Sequence, residues 1–195
     1  MEITAEIVTA FVAAGMGAAF IAADYRSRTS WILGLFFVLL GASITANVCA
    51  VRAYRAGAPH SWPAFAALAD TAVLLVAHEW ILRIRRTIPA RGLRTSFGDR
   101  MLRVAQVLAL VYGGLALALP DLRVREFLGV MREAGPGASL GFWVFFLPFG
   151  LSVLGGIASI VLVLNRKPDP AEKVRLVALS AAAPPLAAGA LLPDE

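Results

Sequence analysis

The chain of 195 residues is 59% hydrophobic, carries a formal net charge of +5 and contains a single cysteine. That apolar share exceeds what ordinary water-soluble domains contain, and a soluble fold of this size could not hide it. Cys49 being alone excludes an internal disulfide and a cysteine metal cluster within one chain, and its place in an apolar run reads as packing.

Six apolar stretches approach the ~20 residues that carry a helix across ~30 Å of hydrocarbon. They cover residues 3–23, 31–51, 63–84, 101–119, 141–164 and 174–192. Runs such as Trp31-Ile32-Leu33-Gly34-Leu35-Phe36-Phe37 are apolar on every face, whereas barrel strands alternate apolar with polar residues. The expected fold is an all-α integral membrane protein, a single transmembrane domain over residues 1–195 built as a six-helix bundle.

The first span starts at Met1-Glu2-Ile3-Thr4-Ala5-Glu6 without a positive leader, and so reads as an uncleaved anchor. Gly15 with Ala19, Ala18 with Ala22, and the Gly155-Gly156 pair are expected to mark faces where helices approach closely. The second span contributes Ser43, Thr45 and Asn47, and the fourth contributes Gln106 and Tyr112, all able to hydrogen-bond across helices in lipid.

The third span concentrates ionisable groups at bilayer depth, where they count as functional candidates. Asp70 falls near mid-membrane with Thr71 beside it, and its bland role is a carboxyl hydrogen-bonded to Asn47 or Gln106 of neighbouring helices. Asp70, Thr71, His78, Asn47 and Gln106 are the candidates for a transport or proton site. His78 shares a face with Thr71 and can carry protons or bind metal or haem, but the only other histidine, His60, lies in a loop at the opposite side. Glu79 and Arg83 at i, i+4 spacing suit a helix-end ion pair.

The third loop is rich in arginine, and Arg85, Arg86, Arg91 and Arg94 are candidates for docking anionic lipid or a protein partner. Nucleic acid is disfavoured because the loop lacks the aromatic interleaving that stacks bases.

After the fourth span, Asp121 is placed to cap a short interfacial helix running to about Arg132. Val124, Phe127, Leu128 and Met131 would face the membrane, with Arg123, Arg125, Glu126, Arg132 and Glu133 on the polar side. Gly135-Pro136-Gly137 then breaks the chain before the fifth span. Pro184 and Pro185 predict a kink or a pair of half-helices in the sixth, which if it fails to cross reduces the count to five.

Thirteen of the eighteen basic residues fall in or beside the first, third and fifth loops. Basic loops remain cytoplasmic, so both termini are expected on the non-cytoplasmic side of a plasma membrane, the bacterial inner membrane in this reading. Trp31, Trp62, Trp80 and Trp143 lie near span ends, where indole rings favour the headgroup boundary.

The first hairpin, with its Ala23-Asp24-Tyr25-Arg26-Ser27-Arg28-Thr29-Ser30-Trp31 link between alanine- and leucine-rich spans, resembles the membrane input modules of bacterial signalling proteins. The resemblance implies a cytoplasmic kinase, cyclase or DNA-binding output; this chain departs from the pattern by ending at Pro193-Asp194-Glu195 without one.

The sequence shows no P-loop, no HExxH, no GxSxG and no Cys/His metal pattern, so no cofactor is expected. The leading expectation is a non-catalytic sensor, scaffold or partner-binding membrane module that binds lipids and a protein partner or a second copy of itself. The alternative is a small proton-linked transporter or channel with a pathway past Asp70 and His78. An intramembrane enzyme or haem protein is the third.

Overall fold

The computed structural model describes residues 2–57, 61–87, 94–129 and 139–165, together with the isolated positions 170, 173, 174 and 177. All its elements are helical: α1 (Glu2–Ala23), α2 (Arg28–Arg55), α3 (Ser61–Thr87), α4 (Arg94–Ala118), the single turn α5 (Pro120–Leu122) running into a π-helical turn (Arg123–Phe127), and α6 (Leu140–Leu164). Five of these, α1, α2, α3, α4 and α6, are long and apolar enough to cross a membrane. The proposed span 174–192, including Pro184 and Pro185, lies outside the described residues apart from positions 174 and 177.

The helices run past the apolar stretches that announce them. At 28 residues, α2 is about 42 Å long by helical rise, more than the ~30 Å of hydrocarbon, so its ends project into the headgroup zone. Ser27 starts it, accepting a hydrogen bond from the Ser30 amide, and Ser139 starts α6 in the same way through the Phe142 amide. Pro148 lies inside α6 without ending it.

Consecutive helices pack in the order α1, α2, α3, α4, with α6 closing against α4 and α3. The α1–α2 contact brings backbones together. A Cβ on Gly17 would meet the Gly34 carbonyl oxygen at 2.6 Å, and one on Gly41 would meet the Ala10 carbonyl oxygen at 2.6 Å. With no hydrophobic drive between helices in lipid, such close approach supplies the dispersion contact. The face differs from the expected one: Gly15, Ala18, Ala19 and Ala22 are exposed, and nothing lies within 4 Å of a Cβ built on Gly15. Helical rotation decides this, since Ala10, Ala13 and Gly17 lie at i, i+3 and i+7 and form one stripe against α2.

The main apolar cluster joins Leu33, Phe36 and Phe37 of α2 to Trp80, Ile81 and Ile84 of α3, Leu102 of α4 and Ile160 of α6. Trp80 therefore departs from the boundary role expected of it, because its ring is fully buried in this core. Trp31, Trp62 and Trp143 are the partly exposed indoles, and Trp31 Nε1 donates to the Tyr25 carbonyl oxygen at 2.9 Å.

Gly17→Val should destabilise the protein in detergent by about 1–3 kcal/mol through overpacking, whereas Gly15→Val should change it by less than about 0.5 kcal/mol. Thermal unfolding of the two variants measures the difference, and equal effects would contradict the α1–α2 register.

Candidate functional site

Four stretches of chain converge on Asp70. Ser43 and Asn47 sit one turn apart on α2 and share a face; Asp70 is nine residues into α3, roughly 14 Å from its start; Tyr112 comes from α4 and Arg123 from the first residue of the π-helical turn. Oδ1 of Asp70 accepts from the Ser43 hydroxyl and from Asn47 Nδ2 at 3.0 Å. Oδ2 accepts from the Tyr112 hydroxyl at 3.1 Å and forms an ion pair with Arg123 Nη2.

Arg123 closes the network. Its Nε donates to the Tyr112 hydroxyl at 2.9 Å, and Nη2 also reaches Asn47 Oδ1 at 3.0 Å. The residue is 0% exposed and Asp70 is 9% exposed, so the guanidinium is fully enclosed and the carboxylate nearly so. Burial works against the guanidinium charge, but Tyr112 and Asp70 beside it more than offset that, and its pKa lies above the ordinary arginine value. Arg123 Nη1 has no hydrogen-bond partner among the described residues.

Local sequence explains how a loop arginine reaches this depth. Pro120 starts the α5 turn, with Leu119 in the cap position and no side-chain cap, so Asp121 lies inside the turn instead of ahead of it. The following π-helical turn widens the backbone, and such turns recur at functional sites because they redirect side chains. Val124 fits against Ala46, Ala50 and Ala66, small residues that leave room for the connection between α2 and α3. Phe127 packs against Tyr112, Phe142, Phe145 and Phe149. Glu126 faces the start of α6, where it accepts from the Ser139 hydroxyl, and Gly129 at φ 80° ends the segment.

Arg123 thus departs from its expected place on the polar side of an interfacial helix. It points into the bundle with Val124 and Phe127, while Arg125 stays outside, its Nε 3.1 Å from Glu126 Oε1. Four residues separate Arg123 from Phe127, about 40° around a helix, so the sequence did contain a signal for a shared face. Met131, Arg132, Glu133 and the Gly135-Pro136-Gly137 break lie outside the described residues.

Of the sequence candidates, Asp70 and Asn47 meet directly. Ser43 and Tyr112, read as helix-associating groups, join them. Thr71 turns away: its hydroxyl donates to the Ala67 carbonyl at 2.8 Å and packs on Gly113, where a Cβ would sit 2.4 Å from Oγ1. Gln106 is half-buried, and no described hydrogen bond joins it to Asp70.

His78 lies two turns beyond Asp70 and is buried. Its Nε2 donates to the Ser152 carbonyl at 3.2 Å, Ser152 Oγ donates to the Ala105 carbonyl at 3.2 Å, and the chain of contacts ties α3 to α6 and α4. Nδ1 has no partner among the described residues, and His60 lies outside them.

No described ion pair joins Glu79 to Arg83. Of the four docking arginines, Arg85 is buried, Arg86 is exposed, and Arg91 and the side chain of Arg94 lie outside the described residues. Arg85 Nε approaches Asp99 Oδ1 at 3.2 Å, and its guanidinium lies on Gly98, so this arginine fastens α3 to α4.

Chemically, a carboxylate that accepts four hydrogen bonds, one from a guanidinium, is charge-compensated and spatially fixed. The arrangement holds a charge pair in place. No family model matches the chain, and no characterised protein or solved structure is detectably similar to it.

Arg123→Gln should destabilise the protein by about 3–5 kcal/mol, because it leaves Asp70 buried without its counter-charge. Combining it with Asp70→Asn should lose less than the sum of the two single changes, since the pair is then neutral on both sides. A double-mutant cycle on unfolding midpoints measures this, and additive effects would contradict the pairing.

Proposed function

We propose that this protein is a non-catalytic multipass membrane module, a sensor or scaffold, in which the α4–α6 connection is clamped into one end of the bundle. The observation that carries the reading is the occupancy of Asp70: both carboxylate oxygens are engaged, by side chains from α2, α3's neighbour α4 and the connection. A proton or solute pathway needs a carboxylate free to change partners with water, and this one is held by four donors.

The clamp gives the module a way to respond. Displacing the connection withdraws Arg123, so Asn47 and Tyr112 lose the guanidinium they share and Asp70 loses its counter-charge at the same moment. Movement at one end of the bundle would thereby loosen α2, α3 and α4 together, which is what a module relaying an event to a protein partner or a second copy of itself requires.

In the same reading the basic loops face the cytoplasm, both termini lie outside it, the residues beyond α6 form a sixth span, and the connection is an external, interfacial element of a bacterial inner-membrane protein. The arginine asymmetry supports that sidedness.

The test uses protein reconstituted in liposomes, with Cys49→Ala as the parent. Val124→Cys should resist a membrane-impermeant maleimide in the parent and become labelled when Asp70→Asn is added, while neither protein dissipates an imposed pH gradient. Proton flux in the parent that Asp70→Asn abolishes would instead establish transport, and equal labelling of Val124→Cys in both would remove the clamp. For sidedness, alkaline phosphatase fused at the amino terminus should be active in bacteria; a fluorescent, correctly folded cytoplasmic reporter there would reverse the orientation.

A further inference from the structure

At the end of the bundle opposite the clamp, the antiparallel pair α3–α4 exposes arginines that no acidic group among the described residues neutralises. Arg85 Nε and Asp99 Oδ1 are 3.2 Å apart, and Leu102 packs in the cluster of Ile81 and Ile84, so the last turns of α3 and the first turns of α4 share this corner. Arg83 and Arg86 on α3, and Arg100 and Arg103 on α4, belong to those turns as well. Arg86, Arg100 and Arg103 are exposed, and Arg83 is half-buried with its Nε unpartnered. Asp99, the acidic group at the corner, is engaged by the buried Arg85, and no described ion pair involves the other four.

The outward face of α4 continues this corner in one direction. Beyond Arg100 and Arg103, exposed Val104, Val107, Leu110 and Val111 follow at helical spacing toward the middle of the membrane. Phe97, on the first turn, is exposed as well.

We propose that this face of α4 is a binding site for an anionic phospholipid, its phosphate held by Arg100 and Arg103 with Arg83 and Arg86 in support, and its acyl chain lying along Val104 to Val111. Guanidinium groups match phosphate oxygens in pairs of hydrogen bonds, and unneutralised arginines at the membrane surface attract acidic headgroups. The apolar strip below them favours a lipid over a soluble acidic peptide, which would leave those valines and leucines uncovered on its side. By helical rise Arg100 lies about 27 Å and Arg103 about 23 Å from Ala118 at the far end of α4, so with the apolar strip in hydrocarbon their long side chains reach the headgroup level by snorkelling.

The experiment reconstitutes the full chain in phosphatidylcholine nanodiscs doped with a photoactivatable phosphatidylglycerol, and maps the cross-link by peptide mass spectrometry. Labelling should concentrate on residues of the α4 face and fall about fivefold in R100Q and in R103Q, as expected for one arginine near an anionic surface. R52Q, at the opposite end, should leave it unchanged, and unaltered unfolding midpoints in pure phosphatidylcholine show that the variants fold. The proposal is overturned if a photoactivatable phosphatidylcholine labels the face equally, if R100Q and R103Q label like the parent, or if soluble glycerol phosphate displaces the label, which would make this a site for a free phosphate.

Discussion

Hydrocarbon cannot solvate a carboxylate, and the structure around Asp70 is the consequence of that single constraint. Three helix side chains would satisfy hydrogen bonds but not charge, so a cation has to be brought to the site. Arg123 arrives from outside the spans, and its arrival dictates the path of the connection. The α5 turn, the π-helical widening, the alanine-lined gap between α2 and α3 and the aromatic seat for Phe127 all serve to bring one guanidinium to one carboxylate.

The two ends of the bundle are held by different means. Near Asp70, opposite charges and hydrogen bonds cross-link α2, α3, α4 and the connection, a junction that is strong while complete and fails when one member leaves. Toward the other end, the α3–α4 pair is fastened by buried Arg85 against Asp99 and Gly98, with Trp80, Ile81 and Leu102 in the apolar core beneath. His78 and Ser152 tie α6 to this middle layer through backbone carbonyls. The two ends are thus fastened by separate sets of residues, one by a buried charge pair and the other by an arginine–carboxylate contact over an apolar core.

Much of the helical architecture was legible in the sequence because it needs only composition and length. The stretch 141–164 and the helix Leu140–Leu164 nearly coincide, since Ser139 caps one end and the apolar run stops at the other. Boundaries slipped where polar residues extend a helix past the hydrocarbon, as at Arg94, seven residues ahead of the apolar stretch beginning at 101. Asp70 and Asn47 were readable as a pair of intramembrane polar groups. Arg123 was legible only through its i, i+4 spacing to Phe127, a signal outweighed by the rule that a charged residue in a connection faces water; the π-helical turn carries it inward.

Sequence alone determined that this chain forms long apolar helices and that Asp70 would need a partner, because helix length and the expense of a charge in lipid are properties of the residues themselves. Tertiary structure decided which partner, which face of α1 meets α2, and which arginines are buried and which are exposed. Those outcomes depend on helix rotation and on how far a loop can enter between neighbours, quantities set by packing across the whole bundle and by no local stretch of chain.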